Sequence, residues 1–211
     1  EPTGGHLVFD VKMDFTRKAR WVKNGYLHDA PTESTFAGVV SRETVRLCLT
    51  YAALNDLNVL CCDFQSAYLQ SKTSETHYII CGPEFGEHEG CYALIKRALY
   101  GGKSAGADYW KTMRSCMECL HFKPCKGDQD LWMRPAVDNE GNEYWEYVCL
   151  YTDDALVISV DPERIITKQL QKYWTIKKGS IAPPNIYLGN KVSHVTLEGG
   201  SKAWSLSSSQ Y

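Results

Sequence analysis

Two adjacent acidic residues, Asp153 and Asp154, lie between segments rich in β-branched and aromatic residues, 147–152 and 155–159. Such segments favour strands, and the two-residue gap predicts a β-hairpin with the acidic pair at its tip. A two-residue turn usually contains Asn-Gly or Asp-Gly, because both central residues need a positive φ. An Asp-Asp turn therefore forms at a conformational cost, and such strain concentrates at functional sites.

The repulsion between these two carboxylates predicts a bound divalent cation, because neighbouring negative charges disfavour each other unless a positive charge separates them. A further carboxylate, Asp63, lies in the apolar run 59–64, where a buried acid is costly unless it is paired or metal-bound. Three carboxylates suit a two-magnesium site for phosphoryl transfer, since Mg²⁺ prefers hard oxygen ligands. The alternative is that Asp63 caps a helix that follows it.

Four short segments, residues 63–69, 97–106, 151–154 and 187–189, occur in the order found in reverse transcriptases of copia-type LTR retrotransposons. The resemblance extends over about residues 9–211. It implies an RNA-directed DNA polymerase that transfers a nucleotide from a dNTP to a primer 3′-hydroxyl. It also implies that Asp63, Asp153 and Asp154 hold two Mg²⁺ ions, for which Mn²⁺ can substitute, with the backbone carbonyl of Phe64 as a further ligand.

The resemblance also implies which residues surround the incoming nucleotide. Tyr68 resembles the aromatic steric gate that rejects a ribose 2′-hydroxyl, and Ser66 and Ala67 belong to the same nucleotide-binding segment; a tyrosine packed in the core is the alternative. Residues 11–22 resemble a fingers hairpin whose basic side chains bind the triphosphate, although a solvated charged hairpin is the usual explanation of such a run. The candidates in this hairpin are Lys12 and Arg20, with Arg17 and Lys18 as alternates.

Two further segments have implied roles near the primer and the leaving group. Tyr187, Leu188 and Gly189 resemble a primer-grip turn that sets the primer 3′ end, with a plain strand and turn as the alternative. Lys177 or Lys178 is a candidate for protonating pyrophosphate, with an exposed lysine pair as the alternative.

The chain departs from the family pattern at two positions, Gly102 and Thr152, where leucine and valine are common. A buried leucine replaced by glycine loses roughly 1.5–3 kcal/mol of packing. Neither departure affects a catalytic carboxylate, and reduced activity stays open.

The expected fold class is α+β, a polymerase palm with fingers and no thumb. We assign residues 1–58 and 74–112 to the fingers, 59–73 and 113–184 to the palm, and 185–211 to the primer-grip region and the start of a truncated thumb connection. The predicted order of strands and helices is the split βαβ layout, an antiparallel sheet with helices on one face. Ser41 is the predicted N-cap of a helix.

Nine cysteines without a secretory context predict reduced thiols. Cys116, Cys119, His121 and Cys125 have the ligand types of a zinc site, but the spacing after Cys119 is short. The helical spacing of the apolar residues around Cys116 favours a buried helix face instead.

A formal net charge of −2 excludes a global attraction to nucleic acid, so binding depends on local patches such as residues 12–23. The expected partners are a primed RNA or DNA template, dNTPs, and other Pol polyprotein domains such as integrase and RNase H, but no membrane. The expected location is the cytoplasm, in a virus-like particle, with the nucleus as an alternative. The alternative functions are an inactive or domesticated nucleic-acid-binding fragment and a two-metal nucleotide cyclase.

Overall fold

The structure, a computed structural model, describes residues 2–11, 15–27, 29 and 31–208. The chain divides into two compact units, Glu1–Ala37 with Ser66–Met113 and Gly38–Gln65 with Arg114–Tyr211. Helices and antiparallel sheets are mixed along the chain, which confirms the α+β class.

Twelve strands and three α-helices have defined bounds in the described residues. In chain order the strands are β1 (Gly5–Val11), β2 (Arg17–Lys23), β3 (Asn58–Asp63), β4 (Tyr78–Ile80), β5 (Tyr92–Leu94), β6 (Lys123–Pro124), β7 (Leu131–Val137), β8 (Glu143–Tyr151), β9 (Asp154–Ser159), β10 (Ile186–Tyr187), β11 (Asn190–Thr196) and β12 (Lys202–Ser207). The α-helices are α1 (Arg42–Leu54), α2 (Ala105–Cys119) and α3 (Pro162–Arg164). Shorter 3₁₀ turns span Gly25–Leu27, Ala67–Gln70 and Pro83–His88.

The first unit contains two antiparallel strand pairs, β1 with β2 and β4 with β5. The β1–β2 pairing runs from Gly5 opposite Lys23 to Val11 opposite Arg17. This hairpin includes the segment 11–22 for which a hairpin was predicted.

The second unit is built on a five-stranded antiparallel sheet with the order β3-β9-β8-β7-β6. Its interior strand β9, which lies between β3 and β8, is buried along residues 155–159, so both of its faces need to be covered. A second sheet of three strands, β10-β11-β12, belongs to the same unit.

Helix α1 packs on one face of the five-stranded sheet. Ser41 caps it by accepting a hydrogen bond from the Thr44 amide, as predicted. The apolar stripe of α1 shares a core cluster with sheet residues that lie on one face by their pairing, namely Val59, Leu131, Cys149, Leu156 and Ile158.

The end of α2 contacts the opposite face of the sheet. The guanidinium of Arg114 lies 5.1 Å from the ring centre of Trp132, whose neighbour Leu131 faces α1. Helix α1 therefore lies on the face opposite the end of α2; α1 precedes the split βαβ layout, for which helices on one face stay a prediction. The physical reason is that strands apolar on both faces must be covered on both.

The segment after β9 is helical but irregular. Asp161 caps α3, a π-helical turn follows over Ile165–Gln169, and a 3₁₀ turn ends at Lys172. Two isolated bridges follow, Ile176 with Phe64 just after β3 and Ala182 with Cys61 in β3. Gly179, with a φ of 76°, turns the chain between these bridges.

A buried acid, Glu146, ties this helical segment to the sheet. Its carboxylate accepts hydrogen bonds from Arg134 Nε at 2.9 Å, Arg164 Nη2 at 2.8 Å and Ser159 Oγ at 2.9 Å. Glu146 is only 1 % exposed, so its charge depends on these partners. No local sequence pattern indicates this network, because its members are dispersed along the chain.

Candidate functional site

The three predicted metal-binding aspartates lie at one end of β3 and of the β8–β9 hairpin. Asp63, the last residue of β3, is paired in register with Asp154, the first residue of β9. The Phe64 amide donates a hydrogen bond to the Asp153 carbonyl oxygen at 2.7 Å. Sheet pairing therefore brings together the carboxylates that the sequence separates.

The turn of the β8–β9 hairpin lies one residue earlier than predicted. Tyr151 pairs with Asp154, so the two turn residues are Thr152 and Asp153 rather than Asp153 and Asp154. The positive φ falls on Thr152, at 50°. A β-branched residue rarely adopts this conformation, so the turn carries the strain that the sequence predicted, but at Thr152.

The carboxylate of Asp154 lies in an electrostatically unfavourable environment. Burial, followed by the negative charges of Asp153 and Asp63, raises its pKa to about 6, while Lys177 opposes the shift. The Lys177 ammonium donates a hydrogen bond to Asp63 Oδ2 at 3.0 Å, and this bond raises the pKa of Lys177. The carboxylates thus carry more negative charge than one lysine offsets.

These donors suit a divalent cation in chemistry, because hard carboxylate oxygens with excess negative charge are what Mg²⁺ binds. Their positions in the structure, however, do not form such a site. Among the described residues, no group of three or more His, Cys, Asp or Glu side chains is arranged to hold a metal ion. Asp63 is instead paired with Lys177.

Phe64 contributes backbone rather than its side chain to this region. Its ring is fully buried and packs 5.7 Å from that of Trp174. Two hydrogen bonds make the β-bridge between Phe64 and Ile176. The Gln65 amide donates to the Thr175 carbonyl oxygen, and the Lys177 amide donates to the Asp63 carbonyl oxygen. Neither bond uses the Phe64 carbonyl, the atom predicted as a ligand.

The segment after β3 forms a 3₁₀ turn in the first unit. Ser66 is exposed, has a φ of 49° and occupies the N-cap position, while Ala67 is buried. The helix-capping alternative for Asp63 is therefore wrong.

The half-buried ring of Tyr68 packs between those of Tyr100 and Tyr109, at centroid distances of 5.3 and 5.5 Å.

The β1–β2 hairpin contributes Arg20 to the same row of aromatic rings. Its guanidinium lies 5.7 Å from the ring centre of Tyr100, so Tyr100 contacts both Arg20 and Tyr68. Among the alternates, Lys18 shares a face of β2 with Arg20, and Arg17 lies on the other face. Lys12 lies outside the described residues.

Tyr100 lies within one of the four recognised segments, but no sequence pattern indicated the contacts that it makes. Its carbonyl accepts a hydrogen bond from the Lys23 amide at 2.8 Å. The next residue, Gly101, has a φ of 83°, and a Cβ there would lie 2.1 Å from the Lys23 carbonyl oxygen. The glycine is needed because the two backbones approach so closely.

Comparison with known proteins decides the family. The reverse transcriptase (RNA-dependent DNA polymerase) family matches residues 1–202. The chain belongs to this family.

Two yeast retrotransposon proteins are similar to this reverse transcriptase chain. The truncated transposon Ty1-A Gag-Pol polyprotein of Saccharomyces cerevisiae is 28% identical over 174 residues, which cover 80% of this chain and 14% of the yeast protein. The transposon Ty1-NL2 Gag-Pol polyprotein of the same yeast is 28% identical over 175 residues, covering 80% of this chain and 9% of that protein. These matches confirm the predicted resemblance to copia-type retrotransposon reverse transcriptases.

The segment predicted as a primer grip is a tight hairpin between β10 and β11. Its two turn residues, Leu188 and Gly189, have φ values of 53° and 68°. Tyr187 is buried, and its hydroxyl donates to the Cys149 carbonyl oxygen at 2.8 Å. The plain strand and turn given as the alternative are present. A contact between this turn and the primer remains a proposal.

Within the part of the chain that the structure describes, the cysteines near the end of α2 form no group that could hold a metal ion. Cys116 is buried, Cys119 is exposed and Cys125 is half-buried. Burial raises the pKa of the Cys116 thiol to about 11. The buried helix face was therefore the correct interpretation of Cys116.

No helix among the described residues is long and apolar enough to cross a membrane.

Proposed function

We propose that this reverse transcriptase chain is the palm and fingers core of a retrotransposon polymerase, which adds dNTPs to a primer 3′-hydroxyl on an RNA template. The observation that carries the proposal is the pairing of Asp63 with Asp154 beside the Asp153 turn. Folding alone gives no reason to place three carboxylates at one sheet end, where they disfavour each other.

In this proposal residues 59–73 and 113–184 are the palm, with residues 185–211 as the primer-grip region and the start of a thumb connection. Asp63, Asp153, Asp154 and the Phe64 carbonyl would hold two Mg²⁺ ions. When bound, these ions would lower the pKa of the primer hydroxyl and neutralise the triphosphate. Tyr187, Leu188 and Gly189 would set the position of the primer end, since their turn is anchored by the buried Tyr187.

The fingers, residues 1–58 and 74–112, would bind the nucleotide together with residues 66–68. Arg20, with Lys12, would hold the triphosphate by charge-assisted hydrogen bonds. Tyr68, held between two other tyrosine rings, would exclude a ribose 2′-hydroxyl because a packed ring cannot yield, and Ser66 and Ala67 would line the same nucleotide. The partners would be a primed template, dNTPs and other polyprotein domains such as integrase and RNase H. The chain would act in a cytoplasmic particle.

The test is the addition of a single dNTP to a 5′-labelled primer annealed to RNA, with and without Mg²⁺. We expect addition by the wild-type chain and loss of addition in Asp153→Asn and Asp154→Asn. Circular dichroism would establish that the variants are folded. A folded wild-type chain that binds the primed template but adds no nucleotide would contradict the proposal.

A second candidate, a non-catalytic nucleic-acid-binding fragment, is favoured by one observation. The Asp63 carboxylate is bound to Lys177 and does not converge with the other acids on a common point. Template binding measured by fluorescence anisotropy, unchanged by Mg²⁺ and by the aspartate variants, would support this candidate.

A further inference from the structure

The loop 177–180 is fastened to the end of β3 through Asp63. The Lys177 amide donates to the Asp63 carbonyl oxygen at 2.8 Å, and the Asp63 amide donates to Ser180 Oγ at 3.1 Å. The Ser180 hydroxyl in turn donates to the Lys177 carbonyl oxygen at 2.8 Å. The backbone of Lys177 is therefore fixed beside the residue whose carboxylate its side chain binds.

The side chain of Lys177 places a positive charge directly on the carboxylate cluster. Its ammonium lies 3.0 Å from Asp63 Oδ2, and both side chains are partly exposed, at 49 % and 31 %. Partial exposure lets the ammonium move into water without unfolding its loop, because the loop is held by backbone and Ser180 contacts. The ion pair can therefore open while the backbone of Lys177 stays in place.

The Lys177 ammonium and a divalent cation compete for the carboxylate of Asp63. Mg²⁺ binds carboxylate oxygens at about 2.1 Å and repels a second positive charge so close by. A cation that takes Asp63 as a ligand must therefore displace the ammonium or share the carboxylate at an electrostatic cost.

We propose that Lys177 is the resident counter-ion of the carboxylate cluster, which holds Asp63 in the metal-free protein and is displaced when a divalent cation binds. The affinity for the cation is then set by competition with the lysine. This inference rests on the proposed metal site and adds a regulator of its occupancy. Lys177 is a positioning residue in this role.

The test is titration of the nucleic-acid-free protein with Mn²⁺, followed by the electron paramagnetic resonance signal of free Mn²⁺. Lys177→Gln is expected to bind Mn²⁺ about two- to fivefold more tightly than the wild type, the range given by an exposed ion pair. Lys177→Arg keeps the charge and should bind close to the wild type. Lys178→Gln is the matched control, since it removes the adjacent exposed charge, and should change affinity less than Lys177→Gln.

A second measurement uses melting temperature in EDTA. Lys177→Gln should lower it, and should do so less in an Asp63→Asn background, because the ion pair is then already absent. Equal or weaker Mn²⁺ binding by Lys177→Gln than by the wild type would overturn the counter-ion role alone. A wild type that binds no Mn²⁺ at millimolar concentration would contradict the proposed metal site, and the counter-ion role with it.

Discussion

Asp63 and Asp154 occupy opposite positions in the β3–β9 ladder, so two acids distant in sequence share one end of the sheet. Adjacent strands hold directly opposed side chains about 4.5–5.5 Å apart at Cβ, and like charges placed there destabilise the pair. The protein tolerates this arrangement with one lysine, Lys177, as compensation. A binding function for the carboxylates explains this cost better than folding does.

Asp154→Asn should separate stability from activity. At neutral pH it removes a partly buried charge. Burial, followed by repulsion from Asp153 and Asp63, raises the pKa of the wild-type carboxyl to about 6. We expect the metal-free variant to melt at the same or a higher temperature than the wild type, and to lose dNTP addition. Calorimetry in EDTA and primer extension measure the two effects. A much lower melting temperature would show that Asp154 has a structural role instead.

Glu146→Gln should destabilise the second unit strongly. The substitution leaves Arg134 and Arg164 without their shared carboxylate, and breaking a buried ion pair costs about 3–5 kcal/mol. Urea unfolding measures the difference. Glu143→Gln, at the exposed start of the same strand, is the control and should change stability by less than about 0.5 kcal/mol. Similar effects of the two substitutions would show that the network contributes little.

Tyr100→Leu should weaken nucleotide selection while the chain stays folded. Tyr100 contacts both Arg20 and Tyr68, and each such aromatic contact contributes about 0.5–1.5 kcal/mol. We expect a KM for dNTP raised about three- to tenfold and a smaller preference for dNTP over rNTP. Single-nucleotide addition kinetics with both substrates measure this. Tyr92→Leu, in exposed β5, is the control, and an unchanged preference in Tyr100→Leu would contradict the assigned contact role.

Gly101→Ala should destabilise the first unit more than Gly90→Ala does. Both glycines have a φ near 80°, so both substitutions carry a similar backbone strain of about 1–3 kcal/mol. Only at Gly101 would the new Cβ meet another atom, the Lys23 carbonyl oxygen at 2.1 Å, whereas nothing lies within 4 Å at Gly90. The difference between their melting temperatures isolates the close approach. Equal melting temperatures would exclude it.

Local patterns were sufficient to predict several elements. The hairpins, the capped helix α1 and the end of β3 follow from strand propensity, helical spacing and a capping serine, which act between residues close in sequence. The family, too, was recognisable from four short segments. The predicted hairpin turn was one residue out, because turn type depends on the register of the whole hairpin and not on the two residues alone.

Tertiary packing decided the rest. In the structure, residues 38–58 belong to the unit built on the five-stranded sheet, whereas the sequence assigned residues 1–58 to the fingers, a subdomain division that remains a proposal. The partners of Tyr68 and Glu146 could not be foreseen, since rings and charges met only after distant segments had packed.

The sequence by itself singled out the acids at 63, 153 and 154 as candidate site residues, because they are anomalous in apolar surroundings whatever the fold. Only the tertiary structure decided what those acids face. The β3–β9 pairing placed Asp63 opposite Asp154, and the bridges at Ile176 and Ala182 brought Lys177 onto Asp63. Contacts of this kind depend on strand register and chain path, which no local pattern specifies.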